Sequence, residues 1–441
     1  MINDNLFLIN MRWKIYLSCF ITGISVIIIG LLVSWKSIPN QEGYFELSWN
    51  LTYLNFKETI LNPQVTPLNF LLPYLLVKLF HLSLLNSWKI LDLVFGGFTA
   101  AFIVRYAILH NNLQHLKEMI KMQLLLISSV GAIYPLTSMT GEGLSVFVCL
   151  LGVHAWLNYS FMLGALFFSL AILSKYTIYL ILPGIILWTV VNWSKFDLLQ
   201  KRNIILSLVF FLGIFLVYNN LKSWGDITGQ AGLSSSFKGA LYLLPYFIIA
   251  LILSAPIIII LSFLSPDVQH LMRLVSLSAL LVLLTRHFYW HYPYQVIPFL
   301  TYFVVSKPNL VKLIKYRYIV FQIILTLCIY ILLPLKVKDT TIFPKHNTFS
   351  DLRRVEIEIN KSYHGGKIGY YGNRPFDEPF PAYEISYMDP SWRFQMEQTE
   401  YVVLPSDFIP PLLGSFSGCE LTWLKTINLN AIYKVACQKA L

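Results

Sequence analysis

The sequence predicts an all-α polytopic membrane protein of about eleven transmembrane helices, closed by a small α+β domain at its C-terminus. Three observations predict it. Of the 441 residues, 56% are hydrophobic and only 12% charged, with a mean hydropathy of +0.62, whereas soluble domains carry about 25% charged residues. Apolar runs of about 20 residues, the length that crosses the hydrocarbon, recur from Leu17 to Pro334. From Lys336 onward the charge becomes mixed, and Pro and Gly become frequent.

The first run, Leu17 to Val33, is too long for a signal-peptide core and lacks a small-residue cleavage site, so it is expected to remain as an anchor. Arg12 and Lys14 precede it, which places the N-terminus in the cytoplasm by the positive-inside rule. An outer segment, residues 35–88, follows. Within it Leu68 to Phe80 is short for a span and carries Pro67 and Pro73 at its start and interior, so it reads as a helix lying in the outer interface.

The second span, Ile90 to Leu109, runs inward and delivers Lys117 and Lys121 to the cytoplasm. The third, within Met122 to Thr137, returns outward to a turn holding Gly141-Glu142-Gly143, and the fourth goes in to Asn158. The fifth climbs from Phe161 to Ser174 and the sixth descends from Tyr176 to Trp193, leaving Lys195, Lys201 and Arg202 inside. The seventh, Ile204 to Tyr218, opens on an outer loop, 219–238, bearing Asp226. The eighth, Leu241 to Leu264, ends at an inner turn with Arg273, and the ninth runs out to Leu284. The tenth returns to an inner loop with Lys307, Lys312, Lys315 and Arg317, and the eleventh exits near Pro334. The membrane domain thus spans residues 1–335 and the extracytoplasmic domain 336–441, in the plasma (inner) membrane of its cell.

In the tail a helix is expected over Ser350 to Asn360, with strands at Lys367 to Tyr371, at Tyr401 to Leu404 and around Leu421 to Val435. The stretch Gly372 to Trp392, rich in Pro and aromatics, reads as a loop. Of the five cysteines, Cys19, Cys149 and Cys328 lie in apolar runs, where a thiol packs as a small hydrophobe. Cys419 and Cys437 lie in the tail and pair only if their Cα atoms come within disulfide reach.

A net charge of +11 would suit a nucleic-acid partner, but Lys and Arg are spread over short connecting segments rather than gathered on one face. The charge is read as topology, with no nucleic-acid partner. Aromatics reach 15%, and many stand at the ends of apolar runs, where amphipathic rings favour the headgroup layer.

Polar residues that membrane depth makes costly are the functional candidates. Glu42 and Glu46 follow the first span four residues apart, on one face if that segment is helical and otherwise as solvated carboxylates. Glu142 stands between glycines that let a ligand approach, or serves as a helix-start acid favoured by the dipole. Lys175, between two apolar runs, either snorkels to the interface or holds a phosphate as a point charge. Arg286 to Tyr292, with His291 among four aromatics, reads as an interfacial belt or as a phosphate clamp built on the guanidinium fork.

The order of these features resembles the GT-C class of membrane glycosyltransferases, which includes protein O-mannosyltransferases and aminoarabinose transferases. The run Gln41-Glu42-Gly43-Tyr44-Phe45 is similar to the acidic pair that opens the first outer loop of that class, with Gln41 in place of its first acid. Pro63 to Leu68 is similar to its Pro-containing interfacial helix, Leu170 to Lys175 to its Leu-Thr-Lys segment, and Arg286 to Pro298 to its Arg-Tyr and Pro region. The resemblance implies a polyprenyl-phosphate sugar donor and a lipid, glycan or protein acceptor on the outer face. It implies Glu42 as base with Glu46 and Glu142 as accompanying acids, and Lys175, Arg286, His291 and Tyr292 as donor-phosphate ligands. No metal and no other cofactor is expected, since no ligand set at metal spacing is present in the sequence.

Two other functions would use the same cations. A flippase or transporter for a lipid-linked sugar usually shows internal repeats and broken helices at mid-depth, and no convincing repeat is found. An outer-face glycan polymerase or ligase would need a base on a late outer loop, where residues 219–238 offer only Asp226.

Overall fold

Helix formation here follows apolar runs, and Pro, Gly and capping residues decide where each helix starts and stops. The computed structural model describes residues 2–34, 67–82, 84–110, 116–129, 142–174, 178–220, 252, 255–264, 296–307, 310 and 313–332. In the tail it describes 354–355, 357–358, 361, 367–370, 382–384, 399–405, 419–427 and 430–437. The described helices are α1 (Ile2–Ser34), α2 (Pro67–Phe80), α3 (Leu84–His110), α4 (Leu116–Ile127), α5 (Glu142–Leu157) and α6 (Phe161–Ser174). They continue with α7 (Ile178–Val191), α8 (Leu198–Asn220), α9 (Pro256–Phe263), α10 (Ile297–Val305) and α11 (Tyr316–Leu332).

Three stretches, Trp13–Leu31 in α1, Asn86–His110 in α3 and Leu198–Leu216 in α8, are long and apolar enough to cross a membrane. Their outer surfaces suit lipid: Trp13, Phe20, Phe98, Val209 and Leu212 are each more than half exposed. An apolar face with nothing packed on it is costly in water and neutral in hydrocarbon. The helix α2 occupies the stretch expected to lie in the interface, with Pro67 as its first residue and Pro73 inside it. It ends at His81, whose φ of 52° turns the chain out of the helix.

Several boundaries differ from the sequence expectation, each for a local reason. The helix α8 begins six residues before Ile204, because Asp197 and Gln200 form a reciprocal cap. The Gln200 amide donates to Asp197 Oδ1 at 2.7 Å and the Asp197 amide to Gln200 Oε1 at 3.1 Å. Within the expected span Leu241 to Leu264, most of which before Ala255 lies outside the described residues, Ala255 has a non-helical φ of −152° and ψ of 58°, and α9 starts at Pro256. A proline disfavours the helical conformation in the residue before it. The helix α4 starts at Leu116, ahead of Met122, while residues 130–141 of the expected third span lie outside the described residues. The expected ninth span also lies outside them.

The helix α6 covers the expected stretch, Phe161–Ser174, and stands as a separate helix antiparallel to α5. A Cβ on Gly152 would sit 2.5 Å from the Phe168 ring, and one on Gly164 would sit 3.1 Å from the Trp156 ring. Glycine at both positions lets the two backbones close on each other's aromatic rings. The turn between them places Tyr159 at φ 62°, with the Ser160 amide donating to Ala155 O at 2.9 Å.

The chain divides into two compact units, one holding Met1–Leu31, Leu61–Asn69 and Ile90–Pro344, the other Leu32–Ile60, Phe70–Lys89 and Lys345–Leu441. In the first, a Cβ on Gly97 would sit 3.1 Å from Gly23 O, and one on Gly23 would sit 3.2 Å from Gly97 O. Gly23 also faces Ala101 while Gly97 faces Ile27, so α1 and α3 run antiparallel at close backbone range.

In the second unit five strands form one sheet of order β2-β1-β3-β5-β4. They are β1 (Lys367–Tyr370), β2 (Ala382–Glu384), β3 (Thr399–Pro405), β4 (Cys419–Ile427) and β5 (Asn430–Cys437). β1 pairs parallel with β2 and β3, and β5 pairs antiparallel with β3 and β4. In β3 Tyr401, Val402, Val403 and Leu404 are all buried, as expected of a central strand covered on both faces. β2 corrects the reading of Gly372 to Trp392 as loop: Ala382 to Glu384 pair with Ile368 to Tyr370. Of the expected tail helix, Arg354, Val355, Ile357 and Glu358 are helical. The Lys425 ammonium reaches Glu358 Oε2 at 3.0 Å and holds that carboxyl below its ordinary range.

Candidate functional site

The helices α3 and α5 lie side by side and point the same way. Phe95 and Phe98 each meet Phe147 at 5.9 Å between ring centres, and one to two turns further on Phe102 and Tyr106 each meet His154 at 5.2 Å. The helix α10 meets them at this end, where Tyr302 stacks on Tyr106 at 4.5 Å. With α1 antiparallel to α3 and α6 antiparallel to α5, the helix bundle of this unit has two chemically distinct ends.

At the N-terminal end of α3 and α5 stands Asp92, only 2% exposed. Gly143, the second residue of α5, is pressed against it. A Cβ there would lie 2.8 Å from the Asp92 main-chain oxygen and 3.2 Å from its Oδ1. Glu142 is the first residue of α5, so two acids stand within one residue of a shared backbone contact. Ser145, fully buried one turn into α5, adds a hydroxyl to this end. An acid in a membrane-length helix is costly and marks a functional position unless its surroundings stabilise it. The N-terminus of a helix, through the dipole and amides of its first turn, favours an acid placed against it. A carboxylate so placed can accept a proton or a hydrogen bond from a hydroxyl brought against it.

At the opposite end, His154 Nδ1 lies 2.8 Å from the Tyr302 hydroxyl, and Tyr302 is 1% exposed. Asn158 Nδ2 donates to His154 O at 2.8 Å, and Tyr106 stacks between Tyr302 and His110. This clasp ties α3, α5 and α10 together. The basic residues gather at this end too. Lys117 and Lys121 stand over the Tyr316 ring at 5.7 and 5.8 Å, and the Tyr316 hydroxyl donates to Lys117 O at 2.6 Å. Lys195, Lys201 and Arg202 lie between α7 and the first turn of α8. Trp156 Nε1 donates to Thr189 Oγ1 at 2.9 Å, which brings the last turn of α7 beside that of α5.

Of the residues singled out in the sequence, Glu142 is placed at the Asp92 end. Glu42, Glu46, Lys175, Arg286, His291 and Tyr292 lie outside the described residues. Ser174, immediately before Lys175, is the fully buried last residue of α6 and donates to Leu170 O at 2.8 Å. Asp92 was missed by sequence reasoning. The available signal was a charge near the start of an otherwise apolar span, with Lys89 one turn before it and itself 2% exposed. Among the described residues no group of three or more His, Cys, Asp or Glu is placed to hold a metal ion.

Comparison with known protein families, with curated proteins and with solved structures finds no match to this chain.

Proposed function

We propose that the chain is a multi-pass membrane glycosyltransferase that moves a hexosyl or pentosyl group from a polyprenyl-phosphate donor to a lipid, glycan or protein acceptor at the outer face. The observation that carries this reading is the buried Asp92 held against the N-terminus of α5, next to Glu142. Lys117, Lys121, Lys195, Lys201 and Arg202 towards the other end support a cytoplasmic orientation for it under the positive-inside rule. On that orientation Asp92 and Glu142 face the outer leaflet, as does the C-terminal end of α6.

In the reaction an acceptor hydroxyl attacks the anomeric carbon. The bond from that carbon to the donor phosphate oxygen breaks, and polyprenyl phosphate leaves. A carboxylate takes the hydroxyl proton, a step worth roughly 10²–10⁴-fold in rate. Glu42, with Glu46 beside it in sequence, and the pair Asp92 and Glu142 are the candidate acids. Lys175 as a point charge and Arg286 as a planar fork offset the phosphate charge that grows as the sugar departs, with His291 and Tyr292 as further donors. No metal is assigned to the step.

The test is transfer by the full chain in proteoliposomes supplied with radiolabelled polyprenyl-phosphate hexoses and pentoses, scored as released polyprenyl phosphate. Asp92→Asn and Glu42→Gln should each lower turnover by about 100-fold with unchanged membrane insertion. Lys175→Ala and Arg286→Ala should weaken donor binding. Wild-type transfer by both acid variants removes these carboxylates from the chemistry. Movement of the lipid-linked sugar between leaflets without release of polyprenyl phosphate would identify a flippase instead.

A further inference from the structure

We propose that Cys419 and Cys437 form an intrachain disulfide that clasps the open end of the β4–β5 hairpin. Cys419 is the first residue of β4 and Cys437 the last of β5, and the two are direct register partners. Residues directly opposed on antiparallel strands hold their Cα atoms about 4.5 Å or about 5.5 Å apart, depending on whether the pair exchanges main-chain hydrogen bonds. Both distances fall within the roughly 4.4–6.8 Å that a disulfide spans. The backbone therefore permits the bond whichever phase the pair occupies.

The register at this end is regular. Glu420 opposes Ala436 and Leu421 opposes Val435, and the irregularity between Trp423 and Lys425 lies further along the hairpin. β4 is also the edge strand, with Trp423 and Leu424 exposed. An edge strand held on one side only frays from its end and offers its unpaired backbone to other chains. A covalent bond at Cys419 closes that end, opposite the turn that joins the strands. Cys19, Cys149 and Cys328, by contrast, are free thiols on α1, α5 and α11.

Formation is a two-electron oxidation carried by a disulfide-donor protein or by oxidised glutathione. One tail thiolate attacks the donor disulfide and releases a donor thiolate. The second tail thiolate then attacks the mixed disulfide, forming the Sγ–Sγ bond and releasing the second donor thiolate, and the two donor thiolates take up the two protons that the tail thiols gave up. Such a bond persists only in an oxidising compartment.

The test uses the full chain in native membranes, acid-quenched, unfolded in detergent and labelled with a maleimide-linked polymer before or after reduction. Of the five cysteines, three should label before reduction and all five after it. Cys419→Ser should label at four positions in both cases, because Cys437 is released. Peptide mapping of the unreduced wild type should recover one linked pair containing Cys419 and Cys437. Five labels before reduction, a linkage to any other cysteine, or a disulfide-linked dimer on a non-reducing gel each overturns the clasp.

Discussion

Asp92 and Gly143 show how one missing side chain can position a charged one. The glycine admits the Asp92 backbone to the first turn of α5, and any Cβ at that place would meet an oxygen at 2.8 Å. Gly143→Val should therefore push α3 and α5 apart at this end, at a cost of about 2 kcal/mol as overpacking. It should also lower sugar transfer more than Gly152→Ala does, although the latter also crowds a ring at 2.5 Å. Thermal unfolding in detergent, run beside the transfer assay, separates the two effects. Glu142 was legible in the sequence because a lone acid between glycines in a short turn stands out. Asp92 was not, because one acid within a 25-residue apolar stretch barely changes its average and its significance comes from a neighbour some 50 positions away.

Among the helices, buried amides do some of the joining that apolar packing cannot do in lipid. Gln322 of α11 is fully buried, and its Nε2 donates to Ser128 Oγ at 2.9 Å, just beyond the end of α4. Its Oε1 accepts from the Ile257 amide at 3.3 Å, at the open start of α9. Gln322→Leu strands that amide and removes the donor to the Ser128 hydroxyl, which keeps its own bond to Leu125 O, and should cost about 2 kcal/mol, read as a lower midpoint of thermal unfolding. Elements whose limits follow apolar content, such as α6, were readable to the residue. Those set by polar detail were not: α8 starts early on the Asp197 and Gln200 cap, and α9 restarts at Pro256. β2 has three residues in a Pro-rich and aromatic stretch, and pairing with β1, rather than its own composition, makes it a strand.

Among the described residues of the helix bundle, Lys117 and Lys121 stand towards one end and Asp92 at the other. The parallel run of α3 and α5 keeps Asp92 and Glu142 together at their shared N-terminal end. Among the described helices α1 and α3 run antiparallel, as do α5 and α6. A membrane-impermeant maleimide should label Lys201→Cys in a cysteine-free background only from the cytoplasmic face, and Gly141→Cys only from outside. Labelling of both from one face would break the assigned orientation.

The sorted charge also has a consequence for the lipids around the protein. Lys117 and Lys121 sit over the Tyr316 ring, with Lys315 and Arg317 flanking that ring in sequence, so several cations share one level of the bundle. Each basic side chain near a leaflet surface attracts anionic headgroups by about 1 kcal/mol. An annulus enriched in acidic phospholipid on that leaflet alone would hold the bundle at a fixed depth and resist its tilting or slipping through the bilayer.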